Sequence, residues 1–363
     1  MTMTESVVYA PHLAGKKVLL TGGTGFVGRH LLPQLLEAGA QVTCLTRAAS
    51  RTGHLPAGVE TVQADLSTGK GLAEALHGKD VVIHMAALLF GLGWQDYLRA
   101  NVLAARSMAN AITSLSREGN LGADFRFVLV SSLAATGPSG TAPGVDDATP
   151  PAPVSAYGWS KMLTEQVLGR ALGQSLVTLR PPIIYGSGDK GLLPVFQGVM
   201  RARVAVSPGA GREFPVSAVH ADDMAQAVLC ACRPEACGVY HLSDGEAYTM
   251  SGFCRVMGVA VDKALGRAPR SVRVVRMPLP VMACTAGLST AFAVAADAVS
   301  RRLLGRGLRR APAWNLDKYR EARQAGWLCD NSRICRELGF APRVSLEAGM
   351  TEAVHGYRRE GWL

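Results

Sequence analysis

Short runs of apolar residues alternate with longer segments of helical periodicity through the first half of the chain. That alternation is typical of strands joined by crossover helices in a parallel sheet. The apolar runs predict strands at 17–21, 41–46, 59–64, 80–85, 125–132, 175–181 and 239–242. The periodic segments predict helices near 26–38, 71–76, 97–115 and 157–172. The pattern therefore predicts an α/β fold with a doubly wound parallel sheet, and Pro33 is expected to kink its first helix.

Two segments rich in proline and glycine interrupt this order, at 137–153 and 181–215. Both are long for simple connections, so we expect them to line a site or cap the sheet. The last third of the chain is arginine-rich and irregular, and a smaller helical region is expected there. We assign the sheet domain to 14–180, with 216–244 returning to it, and a C-terminal substrate-binding region to 181–215 and 245–363.

Composition places the chain among folded proteins that bury a sizeable core. Of its 363 residues, 48% are hydrophobic and 18% are charged, which excludes wholesale disorder and collagen-like repeats. The eight cysteines are irregularly spaced, and residues 1–16 lack the basic start and apolar run of an export signal. We therefore expect a cytoplasmic protein in a reducing compartment.

The net charge of +10 is concentrated in one segment, because 263–323 holds 13 basic and 3 acidic residues. An anionic ligand, an acidic membrane surface or nucleic acid would suit such a segment. Aromatic residues do not interleave with its arginines, so no nucleic-acid partner is expected. Residues 277–296 carry no charge and have arginines on both sides. A helix packed in the substrate region is favoured there, with peripheral membrane contact through 277–310 as the second interpretation.

A glycine-rich turn follows the first predicted strand. The strand ends at Thr21, glycines follow at Gly22, Gly25 and Gly28, and an apolar helix begins at once. This order is the context of a dinucleotide-binding Rossmann fingerprint, in which backbone N–H groups at the helix start meet a pyrophosphate. We therefore predict cofactor contacts from these four residues and from Phe26 and Val27. The alternative is a tight turn that binds no ligand.

The end of the second strand predicts which coenzyme is bound. An NAD enzyme places Asp or Glu there for the ribose 2′-hydroxyl, whereas this chain has Thr46 and Arg47. Arg47 and Arg51 can pair with a 2′-phosphate, so NADP is favoured, with NAD as the alternative. Asp65 and Leu66, after the third strand, are expected near the adenine, although Asp65 could equally cap a helix.

Three further residues form a candidate catalytic set. Tyr157 and Lys161 are four positions apart at the start of a predicted helix, and Ser132 ends the preceding strand. A neighbouring ammonium group favours the anion of a tyrosine, which could then exchange a proton with a substrate oxygen. Ser132 could hydrogen-bond the same oxygen. By itself, a tyrosine and a lysine at this spacing are more often a surface pair.

With these motifs in order, the chain resembles the extended short-chain dehydrogenase/reductases, including the NAD-dependent epimerase/dehydratase and 3β-hydroxysteroid dehydrogenase-like members. The matching pieces are TGGTGFVG from Thr21, Asp65-Leu66, HMAA from His84, Asn101 in YLRANV, VSS ending at Ser132, YGWSK from Tyr157, RPPIIYG from Arg180, HADD from His220 and the stretch 337–350. They cover nearly the whole chain, so the resemblance does not rest on one motif.

The resemblance implies a role for each matching residue. Tyr157 would be the general acid/base, Lys161 would bridge the nicotinamide ribose and tune that tyrosine, and Ser132 would polarise the carbonyl. Asn101 would support the active site, unless it is a helix-interior asparagine that points to solvent. The resemblance also implies a homodimer. Further cofactor contacts would come from Ala86, Ala87, Pro182 and Ile184.

Two departures from the family pattern reduce the number of reactions that fit this chain. Dehydratases carry an Asp-Glu pair after the catalytic hydroxyl, where this chain has Leu133 and Ala134. Sugar-nucleotide epimerases place an arginine after a glycine pair, here Gly209 and Gly211, but the aligned residue is Pro215, with Arg212 nearby.

The apolar segment 88–94 favours a sterol-, terpenoid- or polyketide-like alcohol or ketone, unless this loop packs on its own helix. We therefore expect hydride transfer on an apolar small molecule. The alternatives are a sugar-nucleotide epimerase and a non-catalytic NADP-binding scaffold.

Other polar residues are expected to be structural. Cys230, Cys232 and Cys237 lack paired C-x-x-C spacing, so we predict buried thiols and no metal site. His220 and His241 are interpreted as ordinary strand or loop histidines. Asp222 and Asp223 are expected to cap the helix that follows them.

Overall fold

The computed structural model describes residues 10–48, 50, 52–208, 212–305, 307 and 311–363. One sheet contains seven parallel strands: β1 (Lys17–Thr21), β2 (Gln41–Thr46), β3 (Glu60–Gln63), β4 (Val81–His84), β5 (Arg126–Val130), β6 (Leu176–Arg180) and β11 (Gly238–His241). Their spatial order is β3-β2-β1-β4-β5-β6-β11. The chain winds outward from β1 in both directions, which confirms the predicted doubly wound parallel sheet.

Six short strands lie outside this sheet and form three pairs in the described part of the chain. The parallel pairs are β7 (Ile183–Tyr185) with β10 (Ala218–His220) and β8 (Val204–Ser207) with β13 (Arg273–Arg276). The antiparallel pair is β9 (Pro215–Val216) with β12 (Tyr248–Thr249). Each pair joins chain segments far apart in sequence, so these strands tie the C-terminal part of the chain to the segment after β6.

Helices cover the sheet and build the rest of the molecule. They are α1 (Phe26–Glu37), α2 (Leu72–Leu76), α3 (Trp94–Tyr97), α4 (Ala104–Arg117), α5 (Leu133–Thr136), α6 (Ala156–Leu172), α7 (Leu193–Ala202), α8 (Ala221–Ala231), α9 (Met250–Ala264), α10 (Leu279–Leu304), α11 (Leu316–Ala322), α12 (Ser332–Leu338) and α13 (Leu346–Arg359). A π-helical turn at Leu98–Leu103 joins α3 to α4, and 3₁₀ turns lie at Pro11–Leu13 and Gly173–Ser175.

The inner strand β1 is apolar at Val18, Leu19 and Leu20 because both faces of the sheet are covered. Val18 and Leu20 face a core formed with α1 and α8, whereas Leu19 faces a second core formed with α4. A strand buried on both faces has no polar side to alternate with. A third core, separate from the sheet, is formed mainly by α7, α9 and α13.

Helix α1 continues through Pro33 without interruption, and the kink expected at this proline stays a prediction. The proline ring is exposed to solvent, while Leu31, Leu32 and Leu35 are fully buried against the sheet. Proline removes one backbone hydrogen bond. Burial of three leucines, at about 1.5–3 kcal/mol each, outweighs that loss.

Candidate active site

The carboxyl end of β1 leads into a cradle formed by glycines. Gly22 has a φ of +81°, and a Cβ there would lie 2.9 Å from the backbone nitrogen of Ala86. A Cβ on Gly28 would collide with the carbonyl of Gly23. Helix α1 starts at Phe26, and no described side chain caps its N-terminus at Gly25. The N–H groups of this first turn can therefore receive an anionic group, which fits the pyrophosphate of a dinucleotide.

The ends of β1 and β4 are held together beside this cradle. The Thr21 hydroxyl accepts a hydrogen bond from the Ala86 N–H (3.2 Å) and lies 2.7 Å from His84 Nδ1. Burial and the nearby charge of Lys161 lower the pKa of His84 to about 3, so its imidazole is neutral. The backbone at Ala86 and Ala87 is thereby fixed alongside the glycine cradle.

The residues predicted for the adenosine end lie beyond β2 and β3. Arg47 is exposed, and its backbone N–H donates to Ser50 Oγ (3.1 Å). Asp65 accepts from the hydroxyl of Ser67 (2.6 Å) and from its N–H (2.8 Å), and these bonds lower the pKa of the carboxyl. Asp65 closes this turn and caps no helix, because α2 starts after Gly71. Arg51 lies outside the described residues.

The structure brings Ser132, Tyr157 and Lys161 together at the carboxyl end of β5. Ser132 caps α5 by accepting from the Ala134 N–H (3.2 Å), and its hydroxyl lies close enough to the phenol of Tyr157 to act on the pKa of that phenol. Lys161, one helical turn after Tyr157, is buried and donates from Nζ to the Val130 carbonyl (2.7 Å).

Burial sets the proton affinities of this cluster. Desolvation raises the pKa of the Tyr157 phenol, and the hydrogen bond from Ser132 acts in the opposite direction. Desolvation lowers the pKa of Lys161 to about 8, while the negative charge of Glu165 opposes this effect. A lysine that is still protonated near neutral pH, one helical turn from a tyrosine that has a serine hydroxyl nearby, is an arrangement that can move a proton to or from a substrate oxygen.

Asn101 connects the loop after β4 to the helix that carries Tyr157. It is buried in the π-helical turn, where its Oδ1 accepts from the Leu88 N–H (2.7 Å). Its Nδ2 donates to the Leu88 carbonyl (3.2 Å) and to Ser160 Oγ (2.9 Å). The solvent-facing alternative is therefore wrong, because all the polar atoms of this amide have partners inside the protein. π turns occur often at functional sites, since they re-aim one side chain.

Three large apolar side chains are exposed on α6 and on the segment after β4, part of which packs on α6. Leu89 is 51% exposed, Trp159 48% and Trp94 38%. On the opposite side of Ser132, the Leu133 N–H donates to the Pro181 carbonyl (2.8 Å), which brings Pro182 next to the serine. Ile184 follows in β7 and packs against the core beneath α1.

Comparison with known proteins identifies the family. The family model described as the NAD-dependent epimerase/dehydratase family matches residues 18–241. This chain belongs to that family. It is an NAD-dependent enzyme of the extended short-chain dehydrogenase/reductase type, whose related members are named dehydrogenases, reductases and epimerases.

Individual relatives of this epimerase/dehydratase family match almost end to end. The chain is 32% identical to a ceramide reductase of Caulobacter vibrioides, covering 95% of this chain and 96% of that protein. It is 27% identical to a 4-hydroxy-2-methyl-3-oxo-4-farnesyl-3,4-dihydroquinoline-1-oxide ketoreductase of Stigmatella aurantiaca, covering 92% and 94%. The fold is similar to that of MoeE5 in complex with UDP-glucuronic acid and NAD, with a TM-score of 0.67, 21% identity and coverage of 95% and 99%.

In this member of the epimerase/dehydratase family, the structure shows the surroundings of the residues that depart from the family pattern. Leu133 and Ala134, at the places of the dehydratase acid pair, are buried in α5. Pro215 belongs to β9 and pairs with β12, so it cannot clamp a diphosphate, whereas Arg212 is exposed. Gly209 and Gly211 lie outside the described residues.

Helix α11 contributes two residues to the site that the sequence does not reveal. The Asp317 carboxylate accepts from the backbone N–H groups of Ala156 (2.6 Å) and Tyr157 (3.1 Å), at the start of α6. Lys318 places its Nζ 4.6 Å from the centre of the Tyr157 ring and pairs with Glu321 (2.8 Å). No spacing in the sequence signals contacts across 160 residues.

A buried polar network lies behind Lys161. Arg180 on β6 makes two hydrogen bonds to Glu165 on α6 (Nε–Oε1, 3.1 Å; Nη2–Oε2, 2.5 Å). Arg180 also donates to Thr136, which contacts His241, and His241 pairs with Asp147 (2.6 Å). This network fixes the ends of α5, α6, β6 and β11 relative to one another. Two members of this network, Arg180 within its motif and His241, were named from the sequence.

The residues of the HADD motif have other partners than expected. His220, not an aspartate, is the N-cap of α8 and accepts from the Asp222 N–H (3.3 Å). Asp222 pairs instead with His30 Nδ1 (2.6 Å). Asp223 is buried and accepts from the backbone N–H groups at 343 and 344, which fixes the segment before α13. Compact packing of α1, α8 and α13 around this motif provides partners that the local sequence cannot show.

The cysteines of this segment behave differently from one another. Cys230 and Cys232 are buried at the end of α8, and Cys237 is exposed. Burial raises the pKa of the Cys230 thiol. Among the residues that the structure describes, no cluster of three or more His, Cys, Asp or Glu side chains could hold a metal ion.

Proposed function

We propose that this protein transfers hydride reversibly between its nicotinamide coenzyme and a secondary alcohol or ketone on an apolar, lipid-like molecule. The observation that carries the proposal is the placement of the Ser132 hydroxyl near the phenol of Tyr157, with the ammonium group of Lys161 buried one helical turn away against the Val130 carbonyl. This set lies at the same sheet edge as the glycine cradle that starts at Gly22.

Each residue has one task in the proposed reaction. The glycine cradle holds the pyrophosphate of the coenzyme, and Tyr157 and Lys161 hold its nicotinamide ribose. When bound, the nicotinamide supplies or accepts the hydride. In reduction, the phenol of Tyr157 donates its proton to the carbonyl oxygen, and in oxidation the phenolate takes that proton back. Ser132 hydrogen-bonds the same oxygen, and the charge of Lys161 stabilises the phenolate.

An apolar substrate is supported by exposed apolar side chains on α6, which carries Tyr157, and on the segment after β4. Leu89, Trp94 and Trp159 are each more than a third exposed. Apolar surfaces of this kind are typical of pockets that bind apolar ligands. The two relatives described above carry names that contain ceramide and a farnesyl group, both of which include long hydrocarbon chains. We therefore favour a ketone or alcohol on a sterol-, terpenoid- or sphingoid-like skeleton.

Coenzyme oxidation in the presence of a panel of candidate substrates tests the proposal directly. The panel contains a long-chain 3-ketosphingoid, a 3-ketosteroid, a farnesyl ketone, and UDP-glucose as the sugar substrate. Tyr157→Phe should lower kcat on the accepted ketone by about a hundredfold to ten-thousandfold. Tyr357→Phe is the matched control, because that hydroxyl lies in the third core and has no hydrogen-bond partner among the described residues. Unchanged turnover in Tyr157→Phe would contradict the proposal.

Two other outcomes would replace this function. A sugar-nucleotide epimerase uses the same serine, tyrosine and lysine but returns the hydride to the opposite face of the sugar. It would form the C4 epimer from UDP-glucose with no net change in reduced coenzyme. A non-catalytic scaffold would retain a tightly bound dinucleotide and turn over none of the compounds.

A further inference from the structure

Helix α10 exposes a continuous apolar surface on its outer side. Val281, Leu288, Phe292 and Val299 follow one another at helical spacing, and they are 47%, 67%, 78% and 55% exposed. With 26 residues, the helix is about 39 Å long at about 1.5 Å per residue. Its span Leu279–Leu303 has a mean hydropathy of 1.7, and within the described residues it is the one helix long and apolar enough to cross a membrane.

The inner side of α10 is attached to the rest of the protein. Met282, Ala286 and Ala293 are buried there. Ser289 Oγ donates to the Trp314 carbonyl (2.7 Å), and Thr290 Oγ1 accepts from the N–H of residue 316 (2.9 Å). A helix that packs one side on its own domain does not cross a bilayer alone. It can lie in the plane of a membrane surface, with its outer side among the acyl chains.

The charges near α10 indicate which type of lipid surface this helix could bind. Residues 277–296 carry no charge, and Asp297 is 13% exposed and paired with Arg301. Arg301 and Arg302 then stand exposed at the end of the helix, and Arg273 is exposed in the strand that precedes it. Segment 263–323 holds thirteen basic and three acidic residues, and this excess of positive charge favours attraction to anionic lipid head groups.

We propose that the outer side of α10 docks on an anionic lipid bilayer. The apolar side chains insert between acyl chains, while Arg301 and Arg302 lie among the head groups. A second copy of the chain is a less suitable occupant. Antiparallel packing of two α10 helices would bring the terminal arginines of one copy near Arg273 of the other, which is unfavourable for like charges.

Docking would place the active site close to the lipid. Helix α11 follows α10, and its Lys318 contacts the ring of Tyr157. Trp314 Nε1 donates to Thr285 Oγ1 on α10 (3.2 Å), so the segment between the two helices is held to the docking helix. Delivery of an apolar substrate from the bilayer to Tyr157 rests on the proposed function, whereas docking itself does not.

Vesicle flotation of the full-length protein tests the docking. Vesicles of phosphatidylcholine are compared with vesicles that also contain phosphatidylglycerol, at low salt. We expect wild-type protein to float with the anionic vesicles and much less with the neutral ones. Leu288→Glu with Phe292→Glu should lower binding at least tenfold, because two carboxylates would enter the acyl region. Ala73→Glu with Ser116→Glu, at exposed helical positions elsewhere, adds the same charge and should bind as wild type does.

A second variant measures how much the arginine charges contribute to vesicle binding, apart from the apolar side chains. Arg301→Gln with Arg302→Gln should weaken binding to anionic vesicles by about fivefold per arginine and reduce its salt dependence. Sedimentation velocity without lipid provides the decisive contrast. If the Leu288/Phe292 variant changes from dimer to monomer and wild-type protein does not float, α10 is an interface between copies and the proposal is wrong. Equal binding of wild type and the glutamate variant to vesicles would also overturn it. Neither result depends on whether any ketone is reduced.

Discussion

Burial of Lys161 in the candidate site changes the pH at which this residue loses its charge. Its ammonium group is buried against the Val130 carbonyl, and burial lowers its pKa to about 8. A lysine in an unfolded chain titrates near 10.4. Between about pH 8 and pH 10, the unfolded chain therefore binds a proton that the folded chain does not. The free energy of unfolding contributed by this residue must rise with pH across that window.

We expect Lys161→Met to remove this pH dependence. The free energies of unfolding of wild type and variant, measured in urea without coenzyme from pH 7.5 to pH 10, should diverge as the pH rises, with wild type gaining. Below about pH 8 the two curves should run parallel, since the lysine is then protonated in both states of the wild-type chain. A constant difference over the whole range would mean that Lys161 titrates normally.

A second prediction at the scale of single residues is that Arg47 determines the preference between NADP and NAD. No carboxylate ends β2, and an exposed guanidinium there can pair with the 2′-phosphate of NADP. Arg47→Asp should lower kcat/KM for NADPH by about tenfold to hundredfold, since hydrogen bonds between charged groups contribute about 1.5–3 kcal/mol. The value for NADH should rise or stay unchanged.

The matched control for Arg47 is Arg99→Asp, which makes the same change on the π-helical turn. Coenzyme fluorescence titration gives both dissociation constants without the need for a substrate. An identical loss for NADPH and NADH in Arg47→Asp would show that this residue does not read the 2′-phosphate. Until such a measurement, the preference for NADP stays a prediction.

At the scale of elements, helix α11 supplies a carboxylate that hydrogen-bonds to the first turn of α6. Two N–H groups at the start of α6 have no partner within their own helix, and Asp317 accepts from both. Asp317→Ala should lower kcat by about tenfold to hundredfold, because small displacements of a catalytic group have effects of that size. The KM for coenzyme should change much less than kcat, since the glycine cradle that holds the pyrophosphate is not affected.

Conservative replacement separates this positioning role from general destabilisation. Asp317→Asn keeps one oxygen acceptor and should recover part of the lost kcat, whereas Asp124→Asn, at an exposed position before β5, should have no effect. If Asp317→Ala changed the melting temperature but left kcat intact, the contact would be structural and would not position Tyr157.

Sequence patterns predicted the elements well where the signal is local. Inner strands of the main sheet are largely apolar because both sheet faces are covered, whereas the edge strand β3 is mostly exposed, and each strand was expected within two residues of its observed ends. The π-helical turn around Asn101 was not foreseen, because its extra residue is stabilised by the distant Leu88 and Ser160. Helix α10 was expected to be packed, yet one of its sides is exposed, since an uncharged run does not say which side is covered.

At the scale of the whole molecule, the pair Arg180–Glu165 links β6 to α6 behind the active site. Both side chains are buried. Arg180→Met should lower the free energy of unfolding by about 3–5 kcal/mol, because it leaves a buried carboxylate without its cation. The double variant Arg180→Met with Glu165→Met should recover most of that loss.

Urea unfolding of the wild type, both single variants and the double variant measures the coupling. If the effects of the two single changes simply add in the double variant, the pair does not contribute as a unit. The domain boundaries, the homodimer and the cytoplasmic location stay predictions, because they depend on surroundings outside the chain or on motions between its parts.

The contact between Asp317 and α6 limits how this protein could be recombined with its relatives. A junction after β11 divides the chain into a part that carries the glycine cradle and a C-terminal part that could be exchanged to change the substrate. The first turn of α6 would nevertheless lose its carboxylate partner in any hybrid whose donor lacks an acidic residue at the matching place. Grafting a new C-terminal half would then change turnover as well as selectivity, so swaps should retain 315–322 from the recipient.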